Sequence, residues 1–256
     1  MTPSPIRKVL STFRRHRVRA LLIGGQACVL YGGAEFSRDT DFVVLCDPQN
    51  LARLRRALKR LRAEPIFVPP LAERHLRRGH ACHFRCRARE VERLRIDIMS
   101  VMRGCDEFTD LWRRRKQVRL AGVGVVNLLS LPDLITAKKT QRDKDWPMIR
   151  RLIEADYFRK ARRAGEADVA FWLEQMRTPE LLIELAERFP RQARASQKRR
   201  PLLRFALSND ARGLERALTQ EEARERAADR RYWQPLRQEL AEMRRRSRTT
   251  DSFHAD

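Results

Sequence analysis

The chain has 256 residues, enough for one or two domains with a sizeable core, and carries 56 Lys and Arg against 33 Asp and Glu, a formal net charge of +23. No apolar run reaches the about 18 residues that suggest a membrane span, and residues 1–20 lack the apolar centre of a secretory signal, so a cytoplasmic protein with no membrane partner is expected. The five cysteines, Cys28, Cys46, Cys82, Cys86 and Cys105, are an odd number in a chain of ordinary size, which suits a reducing compartment better than a disulfide framework.

In chain order, residues 4–17 read as an amphipathic helix, with Ile6, Val9, Leu10 and Phe13 at helical spacing and arginines opposite. Residues 19–23 are an apolar strand ending at Gly24-Gly25, and residues 26–31 form a short helix broken by Gly32-Gly33. A second strand covers 41–46. Asp47-Pro48 caps and opens a helix to about residue 62, with Leu51, Leu54, Leu58 and Leu61 on one face. This strand–helix–strand–helix order predicts an α/β core. Residues 64–70 read as a connection, 71–77 as a short helix, and 81–87 and 94–100 as paired strands around a polar turn. A helix over 106–115 and a hairpin over 117–127 follow. Ser130 is the predicted N-cap of a helix running towards Lys139, and Asp145 the candidate cap of another reaching Phe158. From Gly165 onward glycine nearly vanishes, and helices are predicted over 167–176, 179–189, 201–207 and 211–246, with 190–200 a basic connection. The expected organisation is a domain over residues 1–158, a helical region over 159–248 and a polar, disordered tail over 249–256.

The residues with chemistry concentrate between Leu21 and Leu45. Asp39 and Asp41 stand two apart at the mouth of a strand, so both point to one side of it. Gly24-Gly25 opens a helix, where free backbone N–H groups and the helix dipole favour an anion such as a phosphate. Asp97, between Ile96 and Ile98, is centred in an apolar strand; the other acids of residues 63–100, Glu64, Glu73, Glu90 and Glu92, are not. Such carboxylates suit Mg²⁺, a hard cation with oxygen ligands. Paired divalent ions can hold both the attacking and the leaving oxygens of a displacement at phosphorus. Each residue also has a plainer reading. Aspartates are common turn formers before strands, Asp97 reads equally as a strand-edge acid, and a double glycine makes a tight turn without any ligand. Arg38, beside the pair, either touches phosphate or neutralises the aspartates.

A second cluster comprises Lys138, Lys139, Arg142, Lys144 and Asp145. Its cations suit the charge that develops on a triphosphate, or form a solvated helix end. His80, Cys82 and Cys86 are metal-ligand types, but their spacing matches no two-pair zinc site. Strand alternation puts His80, Cys82, Phe84 and Cys86 on one face and His83 on the other, so a half-buried strand is expected there.

Apolar strand, Gly24-Gly25, helix, Asp39-x-Asp41 and a distant strand carboxylate, Asp97, together resemble the nucleotidyltransferase superfamily with the polymerase-beta-like fold. The block from Leu131 to Leu152, LPDLITAKKTQRDKDWPMIRRL, is similar to the lysine, arginine and Lys-Asp segment of small bacterial members, the minimal and the abortive-infection toxin-type nucleotidyltransferases. Arg142, Lys144 and Asp145 align with that segment, and either Lys138 or Lys139 takes its lysine position. The resemblance covers roughly the first 155 residues. It implies an α/β (α+β) mixed sheet flanked by helices, with a C-terminal helical region. It implies Asp39, Asp41 and Asp97 as catalytic residues and ligands of Mg²⁺ or Mn²⁺. It also implies Gly24, Gly25, Arg38, Lys138 or Lys139, Arg142, Lys144 and Asp145 around a nucleoside triphosphate. The reaction implied is transfer of a nucleoside monophosphate to a hydroxyl, in toxin-type members beside an antitoxin partner.

Charge bears on the acceptor. Residues 1–150 hold 32 basic and 15 acidic side chains, a difference of +17, and residues 151–256 hold 24 and 18, a difference of +6. A positive field over the carboxylate-bearing part draws polyanions, which points to RNA, such as a tRNA end, with a protein hydroxyl as the alternative. An arginine-rich composition would leave the same count. The rival classes are a non-catalytic basic nucleic-acid-binding protein on the same fold and a phosphotransferase acting at a different phosphorus.

Overall fold

A computed structural model describes residues 4–34, 36, 37 and 39–252. They fall into two compact units, one comprising Met1–Val29, Phe36–Ala137 and Arg231–Asp256, the other Leu30–Glu35 and Lys138–Arg230.

The first unit is built on α1 (Ser4–Arg15), β1 (Ala20–Ile23), α2 (Gly24–Tyr31), β2 (Thr40–Val44), α3 (Pro48–Arg60), β3 (Ala63–Pro65), α4 (Glu73–Arg78), β4 (Cys82–Cys86), β5 (Arg95–Met99), α5 (Phe108–Arg113), β6 (Lys116–Leu120), β7 (Gly124–Leu128) and α6 (Leu131–Lys138). Among the described residues seven strands form one mixed sheet in the order β3-β4-β5-β2-β1-β7-β6. The pairs β2–β5 and β1–β7 are parallel and the others antiparallel. This is a mixed α/β protein.

Amphipathicity builds the layers. Ile6, Val9, Leu10 and Phe13 of α1 are buried, and the Phe13 ring stacks on Phe42 of β2 with centroids 4.5 Å apart. Leu51, Leu54, Ala57 and Leu58 of α3 are buried as well. Burying one such large side chain stabilises the fold by about 1.5–3 kcal/mol. Asp47 caps α3, accepting from Asn50 N at 2.6 Å, as its place before Pro48 predicts. Asn50 itself is buried, bonding Arg19 N at 2.7 Å, Arg19 O at 3.0 Å and Leu45 O at 2.8 Å. It ties the start of the helix to the ends of β1 and β2.

Three segments bear on the expected boundaries. Ala63–Pro65 form the edge strand β3, where Glu64 and Pro65 were read as the start of a connection over 64–70; three residues ending in a proline carry no alternation to read. The second unit consists chiefly of α7 (Asp145–Lys160), α8 (Glu166–Gln175), α9 (Pro179–Arg188), α10 (Pro190–Gln197), α11 (Leu203–Leu207) and the first half of α12 (Ala211–Ser252). Here α10 replaces the expected basic connection. Its inward residues are Ala193 and Ser196, too small to register as an apolar stripe, and Pro190 occupies the first turn, where its missing N–H costs nothing. The helix α12 continues through residues 249–252, where the tail was expected to begin; no glycine or proline stands there to end it. Residues 253–256, the rest of that tail, lie outside the described residues. The core of the second unit surrounds Trp172, whose Nε1 donates to buried Asp156 at 3.1 Å. Among the described residues no helix is long and apolar enough to cross a membrane.

Candidate active site

Parallel pairing of β2 with β5 sets Asp41 directly opposite Asp97. On the far side of β5, antiparallel β4 sets His83 opposite Asp97. Residues opposite one another share a sheet face, so Asp41, Asp97 and His83 form a row across three neighbouring strands. Arg95, two residues before Asp97, stands on the same face.

Gly24 closes the site beneath Asp41. Its φ is +63°, and a Cβ there would lie 2.8 Å from Asp41 Cβ and closer still to the carboxylate. Only a residue without a side chain fits so near that acid. A Cβ on Gly25 would lie 2.8 Å from Ser37 Cβ. Buried Gln26 donates from Nε2 to Ser37 O at 2.6 Å, tethering the segment that delivers Asp39 to the strand. Asp39 stands one residue before β2. The structure thus brings Gly24, Gly25, Asp41 and Asp97 into one place, with Asp39 at its rim. Arg38 lies outside the described residues.

Sequence reasoning missed Arg95 and placed His83 only on the far face of its strand. Arg95 Nε donates to Asp97 Oδ1 at 2.7 Å, and His83 Nδ1 lies 2.9 Å from the same oxygen. Arg95 Nη2 is 3.1 Å from His83 Nδ1. The Asp97 bond raises the Arg95 pKa above its ordinary value, burial opposes this, and the charges of Asp97, Asp39 and Asp41 add to the rise. The readable signal was the Arg-x-Asp spacing, which places both side chains on one strand face.

Burial pushes the Asp97 carboxyl up, but the bonds and charges of His83 and Arg95 outweigh it and leave the pKa below the ordinary value. A group depressed on folding contributes stability above its unfolded pKa and loses it as pH falls through the folded one. Asp97→Asn is therefore expected to be less stable than wild type at neutral pH, with the gap closing as pH drops below about 4. Thermal melts of both proteins across that range test it; a gap independent of pH would refute the assignment.

The donor set of Asp39, Asp41 and Asp97 is all oxygen, the chemistry that suits Mg²⁺ or Mn²⁺. Arg95 and His83 engage Oδ1 of Asp97, and among the described residues no three His, Cys, Asp or Glu side chains gather as a metal-holding group.

The basic block divides within the second unit. Asp145 does not cap α7; it is the first residue of that helix and buried, and its carboxylate takes Lys138 Nζ at 2.7 Å and Thr140 Oγ1 at 2.6 Å. A half-buried cation seven residues upstream outcompetes the capping role read from its position. Lys139 is half-buried, and burial lowers its pKa against the opposing charges of Glu225 and Glu221. Arg142 and Lys144 are exposed.

Cys82–Cys86 is the half-buried strand β4, as the alternation predicts, and His80 lies buried two residues before it. His80 Nε2 meets Glu239 at 2.8 Å, and Cys82 Sγ donates to Pro70 O at 3.6 Å. Burial pushes the Cys82 and Cys86 thiols up to about 11, and none of the five cysteines is in a disulfide. No protein-family model matches the chain, and no curated protein matches it either.

Proposed function

We propose that the chain is a divalent-metal-dependent nucleotidyltransferase of the polymerase-beta-like type, moving a nucleoside monophosphate from a nucleoside triphosphate to a hydroxyl acceptor. The observation that carries this reading is the register of Asp41 against Asp97 above Gly24. Two carboxylates on adjacent parallel strands, beside a glycine that opens a helix, combine cation ligands with a backbone anion site.

Asp39, Asp41 and Asp97 would hold Mg²⁺ or Mn²⁺, which when bound neutralises phosphate charge and acidifies the attacking hydroxyl. The chain's own residues do the rest. Backbone N–H groups at Gly24 and Gly25 bind phosphate oxygens. Asp97, a carboxylate at neutral pH as any ordinary aspartate is, accepts the hydroxyl proton. The hydroxyl oxygen bonds to the α-phosphorus, and the bond from that phosphorus to pyrophosphate breaks. Arg95 and His83 fix the rotamer of Asp97 until the acceptor arrives. The basic residues of the first 150 favour RNA, such as a tRNA end, as acceptor, with a protein hydroxyl as the other candidate. A toxin-type role with an antitoxin partner accords with the block at Arg142, Lys144 and Asp145.

One observation favours a second reading, a non-catalytic basic nucleic-acid-binding protein: Arg95 already neutralises Asp97, and His83 Nδ1 sits 2.9 Å from the same carboxylate oxygen. A single experiment separates the two. Wild type and Asp39→Asn/Asp41→Asn are incubated with each α-labelled nucleoside triphosphate, a divalent ion, total RNA and protein. Label transferred by wild type alone establishes the enzyme, and the labelled band names the acceptor. No label with any triphosphate, from folded protein that binds RNA, establishes the binding protein. Product mass distinguishes a transferred nucleotide from a transferred phosphate.

A further inference from the structure

We propose that the ring of Phe67 is a stacking platform for a base of single-stranded RNA whose backbone crosses the arginines at the β3–β4 edge. This names the acceptor's docking surface for the transfer reaction above, and rests on that reading only for the role of Asp97.

Phe67 is 50 % exposed. Exposure alone means little, since single apolar residues are common on surfaces; its position is the argument. Ile66 N donates to His83 O at 3.0 Å, which fixes the segment beside β4. The Phe67 ring meets the His83 ring edge-on at 5.7 Å, and the Arg95 guanidinium lies over it at 5.8 Å. Those are the two side chains bonded to Asp97. The platform is therefore built from the groups that touch the proposed catalytic carboxylate. A base stacked there would bring its own sugar hydroxyls to the Asp97 side of the sheet.

A second, independent observation points to a polyanion. Arg85 is exposed and stands across from Arg95 on one side and Glu64 on the other, on the sheet face that carries Asp97. Glu64 is already paired with Arg87 at 2.8 Å. Just beyond, Lys59 and Arg62 line an open groove with Leu58 and Arg87, and among the described residues no ion pair engages either cation. A shallow open groove with unneutralised cations does not enclose a small molecule; it suits a phosphate backbone. An aromatic ring beside a cationic track is the arrangement by which proteins hold single strands, because every base has a face to stack and a duplex has none free.

The test is fluorescence anisotropy with a short labelled single-stranded RNA and with its duplex. The proteins are wild type, Phe67→Ala, Phe67→Trp, Lys59→Gln/Arg62→Gln and Asp39→Asn/Asp41→Asn. Phe67→Ala is expected to weaken single-strand binding about tenfold and Phe67→Trp to retain it. Lys59→Gln/Arg62→Gln is expected to weaken binding and flatten the salt dependence by about 1.4 in log–log slope. Duplex RNA binds more weakly than the single strand. The aspartate variant, with two negative charges fewer, binds at least as tightly as wild type. Phe67→Ala binding like wild type, or duplex binding as tightly as single strand, overturns the platform. The enzyme reading fails separately: if Phe67→Ala loses RNA while wild type transfers no label, the platform stands and the transfer reaction falls. If Phe67→Ala keeps RNA and wild type transfers label, the reverse holds.

Discussion

Gly24→Ala is expected to eliminate the proposed nucleotidyl transfer and to destabilise the first unit by about 3 kcal/mol, the sum of a left-handed backbone penalty of about 1–2 kcal/mol and an overpacking cost of similar size. The backbone at Gly24 has φ +63°, which disfavours any Cβ. The new Cβ would also collide with Asp41, whose own Cβ stands only 2.8 Å away. That stem cannot retreat, because β2 is hydrogen-bonded on one side to β1 and on the other to β5. The carboxylate must rotate instead, away from its place opposite Asp97. Gly32→Ala is the matched control, since Gly32 has φ +82° and a Cβ added there would meet nothing within 4 Å; it is expected to cost only the backbone penalty of about 1–2 kcal/mol. Urea unfolding measures both. The double variant Gly24→Ala/Asp41→Ala is expected to recover part of the lost stability and to stay inactive. Equal losses for Gly24→Ala and Gly32→Ala would show that Asp41 does not pack on Gly24 as described.

Glu221→Ala is expected to destabilise the second unit by about 3–5 kcal/mol, the range for removing one partner of a buried ion pair. Glu221 Oε2 takes Arg177 Nη1 at 2.9 Å and Arg200 Nη2 at 2.8 Å. Both arginine side chains are nearly inaccessible, at 8 % and 6 % exposure. Arg200 also donates to Leu173 O and Met176 O, both at 2.9 Å, so it joins the end of α8 to α12. Without Glu221, two buried guanidinium groups lose their main counter-charge, and the half-buried Lys139 keeps only Glu225 of its two opposing carboxylates. Burial raises the Glu221 pKa, but Arg200, Arg177 and Lys139 outweigh it and hold the carboxyl below its ordinary value. Its contribution is therefore complete above the unfolded value of about 4.3 and is lost as pH falls through the lower folded value. Glu222→Ala is the control: it reaches Arg177 only at 4.0 Å and otherwise pairs with Arg226, so a loss under about 1 kcal/mol is expected. Glu222→Ala as damaging as Glu221→Ala would refute the ranking.

The parts of the site legible in the sequence were those with strictly local signals. Strand alternation separated His83 from Cys82 and Cys86, and the packing of β4 follows that division. Asp47 before Pro48 announced a cap, and the cap is made. Ser130 likewise sits before α6, with Asp133 N 3.3 Å from its hydroxyl. The same logic failed at Asp145, where a cap was expected and a buried partner for Lys138 and Thr140 was found. It failed at α10 because Ala193 and Ser196 bury a helix without an apolar stripe. The basic block shows the limit most clearly. On paper Lys138, Lys139, Arg142 and Lys144 are equivalent cations; in the structure Lys138 neutralises Asp145, Lys139 lies among Glu221 and Glu225, and Arg142 and Lys144 are exposed.

What the amino-acid order alone determined was the set of elements, from 3.6-residue and two-residue periodicity, and the residue types able to hold a cation or an anion. Those signals act over one or two turns of chain and survive without knowledge of neighbours. What only the tertiary structure decided was which groups meet. Asp41 faces Asp97 because β2 and β5, far apart in sequence, pair in one parallel register. His83 faces Asp97 because β4 and β5 pair in one antiparallel register. A slip of one residue in either pairing would turn the partner to the opposite face. That register is selected by burial of the whole sheet face, a collective property that no short window of sequence contains.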